Sequence, residues 1–363
     1  MRQVVLGLLL CLLLAVSAQA ADVVEEQSEA LGLDRLEEMT EGYLDGVSPD
    51  ASIDLNEGLS QILEDAGGQV GGVLKKAVRS GVLLLVIVLL CGMTESMEDS
   101  LGRRTMDVTS IAGALAITAV SASDLQSLIG LGRGLIDQLE SFSKVLLPTV
   151  TAAAAAGGSP TGAAARQLAT LLFSDVLLTA INRVLMPLVY AYVAACTAYA
   201  ALGNEGLKQA ADLVKWLVTT TLTVLLLVFM GYLSLAGAVA GTADAAAVKA
   251  ASMAISSLVP VVGGILADAT ETVLAGAGII RNAVGVFGAL AVLAFCLVPF
   301  LTLGLHYLAY KAAAVLASTM AKGRIGGLIG SIGGAFGLVL GMAGACAVLL
   351  LISLITAVGV LTP

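Results

Sequence analysis

Long, uninterrupted apolar runs leave this chain few ways to fold. Of its 363 residues, 58% are hydrophobic and only 12% are charged, whereas a soluble domain carries about 25% charged residues. A chain so poor in charge cannot cover a water-facing surface, so much of its apolar surface must face lipid. Spanning segments must satisfy their own backbone groups, as helices and closed barrels do. The runs do not alternate with a period of two residues as barrel strands do. We therefore predict an all-α, polytopic helical membrane protein.

The amino terminus has the three parts of a secretory signal. Arg2 supplies positive charge, residues 4–16 form an apolar core, and Ala18-Gln19-Ala20 is a small-residue cleavage motif. We predict that residues 1–20 are a signal peptide cleaved after Ala20. An uncleaved signal anchor is the alternative. Either one places the next segment outside the cytoplasm.

A strongly acidic segment follows, which we assign to residues 21–74. Fourteen Asp or Glu lie between Asp22 and Asp65, with Arg35 as the one basic residue among them. This charge argues against nucleic acid as a partner. Apolar residues in the segment recur at the spacing of one or two amphipathic helices, divided by Pro49. We expect an acidic, helical, extracytoplasmic segment.

Residues 75–363 carry the remaining apolar runs and form the predicted multi-pass transmembrane domain. We expect about seven spans, within a range of five to eight, because several runs are short or rich in small residues. The runs are 80–93, 108–122, 145–158, 168–202 (long enough for a broken pair), 216–240, 250–267, 284–307 and 335–360. If eight segments span, the basic residues divide equally between the two sides, so the positive-inside rule does not fix the orientation.

Four apolar-apolar-Pro triplets suggest an internal repeat. They end in Pro148, Pro187, Pro260 and Pro299. The first two prolines are 39 residues apart, as are the last two, and the two pairs are offset by 112 residues. A glycine pair follows the first proline of each set. We predict duplicated halves at 145–240 and 257–352, with chance similarity in a Leu- and Ala-rich chain as the alternative.

Helices broken at matching positions of two repeats mark the working site of many transport proteins. The candidate hinge or pore residues are therefore Pro148, Gly157, Gly158, Pro187, Pro260, Gly263, Gly264 and Pro299. Asp175 and Asp268 join them, because an ionisable residue within an apolar run is costly to bury and is often functional. Either aspartate could instead lie at a membrane interface, and Asp175 could pair with Arg183.

No motif in the chain points to catalysis. The sequence lacks a G-x-x-x-x-G-K-[ST] phosphate loop, an H-E-x-x-H metal motif and a G-x-S-x-G nucleophile motif. The single histidine, His306, lies beside Tyr307 at a run end and fits an interfacial residue better than a ligand. The five cysteines lie in apolar runs without a CxxC pair, as small buried hydrophobes do. We predict no enzymatic activity, no cofactor and no metal.

One stretch resembles a known family. Residues 141–150 read S-F-S-K-V-L-L-P-T-V, and an alanine run, Gly157-Gly158 and the sequence T-G-A-A at 161–164 follow. This patch resembles the signature region of the stage III sporulation protein AE family. The layout of signal peptide, acidic segment and multi-pass domain is also similar to that family over essentially the whole chain.

The resemblance implies a multi-pass membrane subunit of the mother cell–forespore channel, or feeding, complex that endospore formation requires. It implies a location in the mother-cell membrane around the forespore. Its partners would be other stage III sporulation membrane proteins, including ring-forming subunits and a separate ATPase, together with membrane lipid and no nucleic acid. A channel-forming or permease-like role is the leading hypothesis. A structural scaffold of the complex and an unrelated small-solute transporter are the alternatives.

Overall fold

The computed structural model describes residues 33–44, 55–100, 108–156, 173–258, 263–320 and 324–358. These ranges are helical apart from short turns, and they contain no strand, which confirms the all-α class. The helices are α1 (Leu33–Thr40), α2 (Leu55–Ser100), α3 (Val108–Ala156), α4 (Phe173–Leu202), α5 (Glu205–Leu258), α6 (Gly263–Met320) and α7 (Arg324–Val358). The predicted signal peptide, residues 1–20, lies outside the described residues.

Within the described ranges, six helices are long and apolar enough to cross a membrane. They are Gly58–Thr94, Val108–Ala153, Phe173–Leu202, Glu205–Tyr232, Asn282–Met320 and Arg324–Ile355. This number lies inside the predicted range of five to eight. The prediction of separate spans at 108–122 and 145–158 is wrong, because one continuous helix, α3, contains the described part of both runs. The described part of run 168–202 is likewise one helix and not a broken pair.

The two most buried spans, α6 and α7, form an antiparallel pair at the centre of the bundle. Gly326 of α7 lies directly against the backbone of Ser318, and Gly333 lies against Tyr310. In its most apolar stretch, α7 has 61% of its residues buried, compared with 17% for α5. The close approach of α6 and α7 therefore depends on glycines that present no side chain at the contact.

The other spans pack around this central pair. Helix α3 contacts both α6 and α7, α2 packs mainly on α6, and α4 and α5 pack on each other and on α7. Gly113 of α3 lies beside Ile325 of α7 and Gly132 contacts Val339, so α3 and α7 run parallel. Successive candidate spans among the described residues alternate in direction.

Helix α1 is the amphipathic helix that the spacing of apolar residues predicts in the acidic segment. Leu33, Leu36 and Thr40 are buried against the bundle, mainly α3, whereas Asp34 and Glu38 are exposed. The predicted limit of the acidic segment, residue 74, falls inside α2. The end of that segment and the first span therefore share one helix.

The first half of α2 contains two glycine pairs, Gly67-Gly68 and Gly71-Gly72. A Cβ atom at any of these four positions would meet no atom within 4 Å. No close helix contact explains them, unlike Gly326 and Gly333 of α7.

Candidate functional site

A cleft of about 620 Å³ lies between α1, α2, α3 and α6. Small-molecule sites in proteins usually measure about 300–1,000 Å³. The turn after α1 contributes Gly42 and Tyr43, α2 contributes Gln69, α3 contributes Gln138 and α6 contributes Pro299. Apolar side chains of the three long helices form the rest of the wall. The cleft is therefore large enough for a small organic molecule.

Pro299 changes the chemistry of the α6 wall. It lies inside α6 and has no N–H, so the carbonyl of Phe295 cannot accept the usual hydrogen bond from four residues ahead. Phe295 and Pro299 both line the cleft. Pro299 thus removes one backbone hydrogen bond from α6 beside the cleft.

An aromatic contact holds the turn after α1 over the cleft. The ring of Tyr43 meets Phe295 edge to face, with centroids 4.8 Å apart, and Phe295 meets Phe142 of α3 at 5.2 Å. Such pairs add about 0.5–1.5 kcal/mol to the effect of area burial. The turn itself requires Gly42, whose φ of 80° is unfavourable for other residues.

A buried carboxyl group lies elsewhere between α3 and α6. The hydroxyl of Tyr310 donates a hydrogen bond of 2.9 Å to Oδ2 of Asp124, and both side chains are buried. The ring of Tyr310 also packs edge-on against Phe336 of α7 at 5.0 Å. The pair therefore connects α3, α6 and α7, and an ionisable residue at such a place is a functional candidate.

His306 lies one helical turn before Tyr310 and is only 1% exposed. Its Nδ1 atom is 2.8 Å from the carbonyl oxygen of Thr302, and its Nε2 atom has no hydrogen-bond partner among the described residues. The prediction that His306 is an interfacial residue is therefore wrong. The apolar run ends at residue 307, but α6 continues to Met320, so His306 lies inside the helix and not at its end.

Of the sequence-predicted site residues, the structure brings Pro299 to the cleft. Pro148 lies on the exposed side of α3. Asp175 and Arg183 are both exposed, and no ion pair within 4.0 Å joins these two described side chains. The backbone of α6 carries Gly263, Gly264 and Asp268 in its first two turns. Gly157, Gly158 and Pro260 lie outside the described residues.

Pro187 follows a π-helical turn, Ile181–Leu185, in which the N–H of Met186 bonds to the carbonyl of Ile181. The wider turn relieves the clash between the proline ring and the carbonyl four residues before it. Pro299, its predicted counterpart in the repeat, lies within the α-helix α6. The local structure at these two positions differs, and the duplication stays a prediction.

Asp124 is not among the functional residues that the sequence predicts. This residue lies between runs 108–122 and 145–158, where hydropathy alone predicts a connection. Buried residues nevertheless continue at helical spacing from Leu128 through Ile136 and Leu139 to Leu146. That period of three and four residues was the available signal that α3 does not end at residue 122.

The part of the chain that the structure describes defines the class: an all-helical protein with six candidate membrane spans, a cleft between helices and a buried carboxyl–tyrosine pair. The sequence model of the family described as Stage III sporulation protein AE matches residues 45–360, and the chain belongs to this family. The resemblance noted at residues 141–164 is thereby confirmed.

A curated relative is the stage III sporulation protein AE of Bacillus subtilis (strain 168). It is 23% identical to this chain over 246 residues, which cover 67% of this chain and 61% of the relative. The match therefore spans less than two thirds of the relative's length. No solved structure matches the chain.

Proposed function

We propose that this protein is a multi-pass membrane subunit of the channel, or feeding, complex between mother cell and forespore, and that it is channel-forming or permease-like. Membership of the family supports the role in endospore formation. The cleft of about 620 Å³, walled by three helices that each contain a candidate span, carries the proposal for passage of small molecules. Pro299 in its wall supports a helix whose geometry can change there.

The proposed location is the mother-cell membrane around the forespore, with the acidic segment facing the space between the two membranes. Asp34 and Glu38 of α1 and Glu41 of the turn that follows are exposed, which suits partners with a basic surface, such as ring-forming subunits of the complex. A separate ATPase would supply energy, since this sequence has no phosphate loop.

Flux measurements test the channel role. We expect liposomes that contain the purified full-length protein to release entrapped radiolabelled glucose faster than protein-free liposomes. Pro299→Ala supplies the missing N–H, restores the regular helix beside the cleft and should lower this flux at least severalfold. Pro148→Ala makes the same chemical change on the exposed side of α3 and should leave the flux unchanged. Equal flux through both variants would contradict the channel role of the cleft.

A structural scaffold is the second candidate. The observation that favours it is the small number of polar side chains buried within the described bundle. In the source organism, a Pro299→Ala variant that carries no flux but still yields normal numbers of heat-resistant spores would establish the scaffold. Loss of spores together with flux supports the channel.

An unrelated solute transporter would be needed outside sporulation, so expression limited to sporulating cells argues against it.

A further inference from the structure

We propose that the cleft between α1, α2, α3 and α6 binds uncharged polar molecules and excludes ions of both signs. This inference names the class of substrate that the cleft would take. It rests on the proposed function only in treating this cleft as the working site.

The described wall of the cleft carries no charge. None of the described residues that line the cleft is Asp, Glu, Lys, Arg or His. An ion that enters would lose part of its hydration shell without meeting an opposite charge. Such a transfer costs several kcal/mol per ion even after the protein relaxes. A neutral molecule avoids this cost.

The wall of the cleft can form hydrogen bonds. Gln69 and Gln138 each offer an amide with two donors and an acceptor, and the hydroxyl of Tyr43 can do both. These groups lie among apolar side chains, so the cleft suits a molecule with hydroxyl or amide groups on a carbon skeleton. It does not resemble a cavity for a purely apolar guest.

The charges of α1 do not alter this conclusion. Its acidic residues are exposed, and the face that packs on the bundle consists of Leu33, Leu36, Thr40 and Leu44. Glu41 directly precedes the cleft residue Gly42, but its side chain is also exposed. The negative charge therefore lies in water at the outer surface of α1.

Thiol labelling tests the exclusion of ions directly. The variant Gln138→Cys is made in a full-length chain whose native cysteines are replaced by Ala, and is treated with three methanethiosulfonates. One is neutral (the methyl compound), one carries a trimethylammonium group and one carries a sulfonate. Ser141→Cys is the matched control, because Ser141 is exposed on the same helix, between Asp137 and Lys144.

We expect the neutral reagent to label Gln138→Cys, while both charged reagents react at least about tenfold more slowly relative to their rates at Ser141→Cys. The proposal would be overturned if the charged reagents reacted with Gln138→Cys at the same relative rates as with Ser141→Cys. It would also be overturned if the reagent of one sign of charge reacted freely with Gln138→Cys. Failure of all three reagents would overturn it too, because the cleft would then be closed. Gln69→Cys, on the opposite wall, repeats the test if Gln138→Cys does not elute as a folded protein.

A second measurement separates this proposal from the proposed function. Liposomes with the unaltered protein are loaded with glucose, glucosamine or glucose 6-phosphate, which are neutral, cationic and anionic at pH 7. Selective flux of glucose supports both proposals. Absence of flux for all three, with charge-selective labelling of the cleft, contradicts the channel role and leaves the neutral site standing. Equal flux of all three contradicts the neutral site and supports the channel.

Discussion

Single polar side chains in the bundle mostly find a partner within their own helix. The hydroxyls of Thr149 and Thr302 donate to carbonyls four residues earlier, as hydroxyl side chains do when no water is near. The hydroxyls of Thr118 and Thr197 lie 3.0 Å apart and also connect α3 with α4. Against this background, the bond between Tyr310 and Asp124 is unusual because it joins two helices through an ionisable group.

The variant Tyr310→Phe tests the contribution of that bond. It removes the donor and leaves the buried carboxyl group of Asp124 without it, so we expect a loss of about 1–2 kcal/mol in the free energy of unfolding. The measurement is unfolding of the purified protein in mixed micelles by titration with sodium dodecyl sulfate. Tyr190→Phe is the control, because Tyr190 is exposed and its variant should unfold as the unaltered protein does.

The variant Asp124→Asn shows whether the bond or the charge matters. The amide oxygen of Asn can still accept from Tyr310, so we expect a smaller loss of stability than in Tyr310→Phe. A Tyr310→Phe protein as stable as the Tyr190→Phe control would show that the bond contributes nothing.

Among the aspartates, the one that the structure buries is not one that the sequence singles out. Asp175 stands within a continuous apolar run, yet it lies on the exposed side of α4. Asp124 stands in a polar stretch, yet it lies on the buried side of α3. Hydropathy averages over both sides of a helix and cannot tell them apart, whereas the helical period can.

The glycines of α7 are of two kinds. Some lie at a close contact with another helix, and others face open space. A Cβ atom at Gly333 would lie 2.9 Å from Cβ of Tyr310, whereas one at Gly341 would meet nothing within 4 Å. We expect Gly333→Ala to push α6 and α7 apart and to lower the unfolding free energy by about 1–3 kcal/mol. The same micelle titration measures the change.

The matched control is Gly341→Ala in the same helix. Because alanine favours helices over glycine and no clash arises, we expect this variant to be unchanged or more stable by up to about 1 kcal/mol. Equal effects of the two substitutions would mean that the packing of α6 on α7 does not depend on the missing side chain at position 333.

Element boundaries could be predicted only where local chemistry marks them. The turn between α4 and α5 contains Gly203, which has a φ of 68° and donates its N–H to the carbonyl of Tyr199. Such a glycine is a recognisable helix end. No equivalent signal separates residues 122 and 145, and the prediction that a helix ends there is wrong. The π turn before Pro187 could not be predicted from the proline alone, because Pro299 lies inside an α-helix.

Because successive spans alternate in direction, we expect the two ends of the bundle to lie on opposite sides of the membrane. Helix α1 packs near Phe295, whereas the α4–α5 turn lies beside Arg324 at the opposite end of the bundle. We expect Glu38→Cys and Asn204→Cys, each in a chain without other cysteines, to be labelled from opposite sides of the membrane. With the predicted signal peptide, the outer reagent should reach position 38 in intact cells. Position 204 should react only after permeabilisation. Labelling of both from one side would contradict the six-span arrangement.

Composition and hydropathy were sufficient to predict the class of this protein, and a short patch was sufficient to predict its family. The arrangement of helices could not be predicted in the same way. If eight segments span, basic residues divide equally between the two sides, so charge does not orient the predicted spans. The cleft is formed by residues far apart in sequence, such as Tyr43, Gln138 and Pro299. Of these, only Pro299 had a local signal.

The glycine pairs of α2 weaken the helical segment beside the cleft. Each interior glycine lowers helix stability by about 1 kcal/mol relative to alanine, so Gly67, Gly68, Gly71 and Gly72 together remove about 4 kcal/mol from a short stretch. No tight contact compensates for this loss. Gln69 lies within the stretch, so one wall of the cleft is built from a helical segment of low intrinsic stability. Local melting there would widen the cleft, while the α6–α7 centre kept its shape.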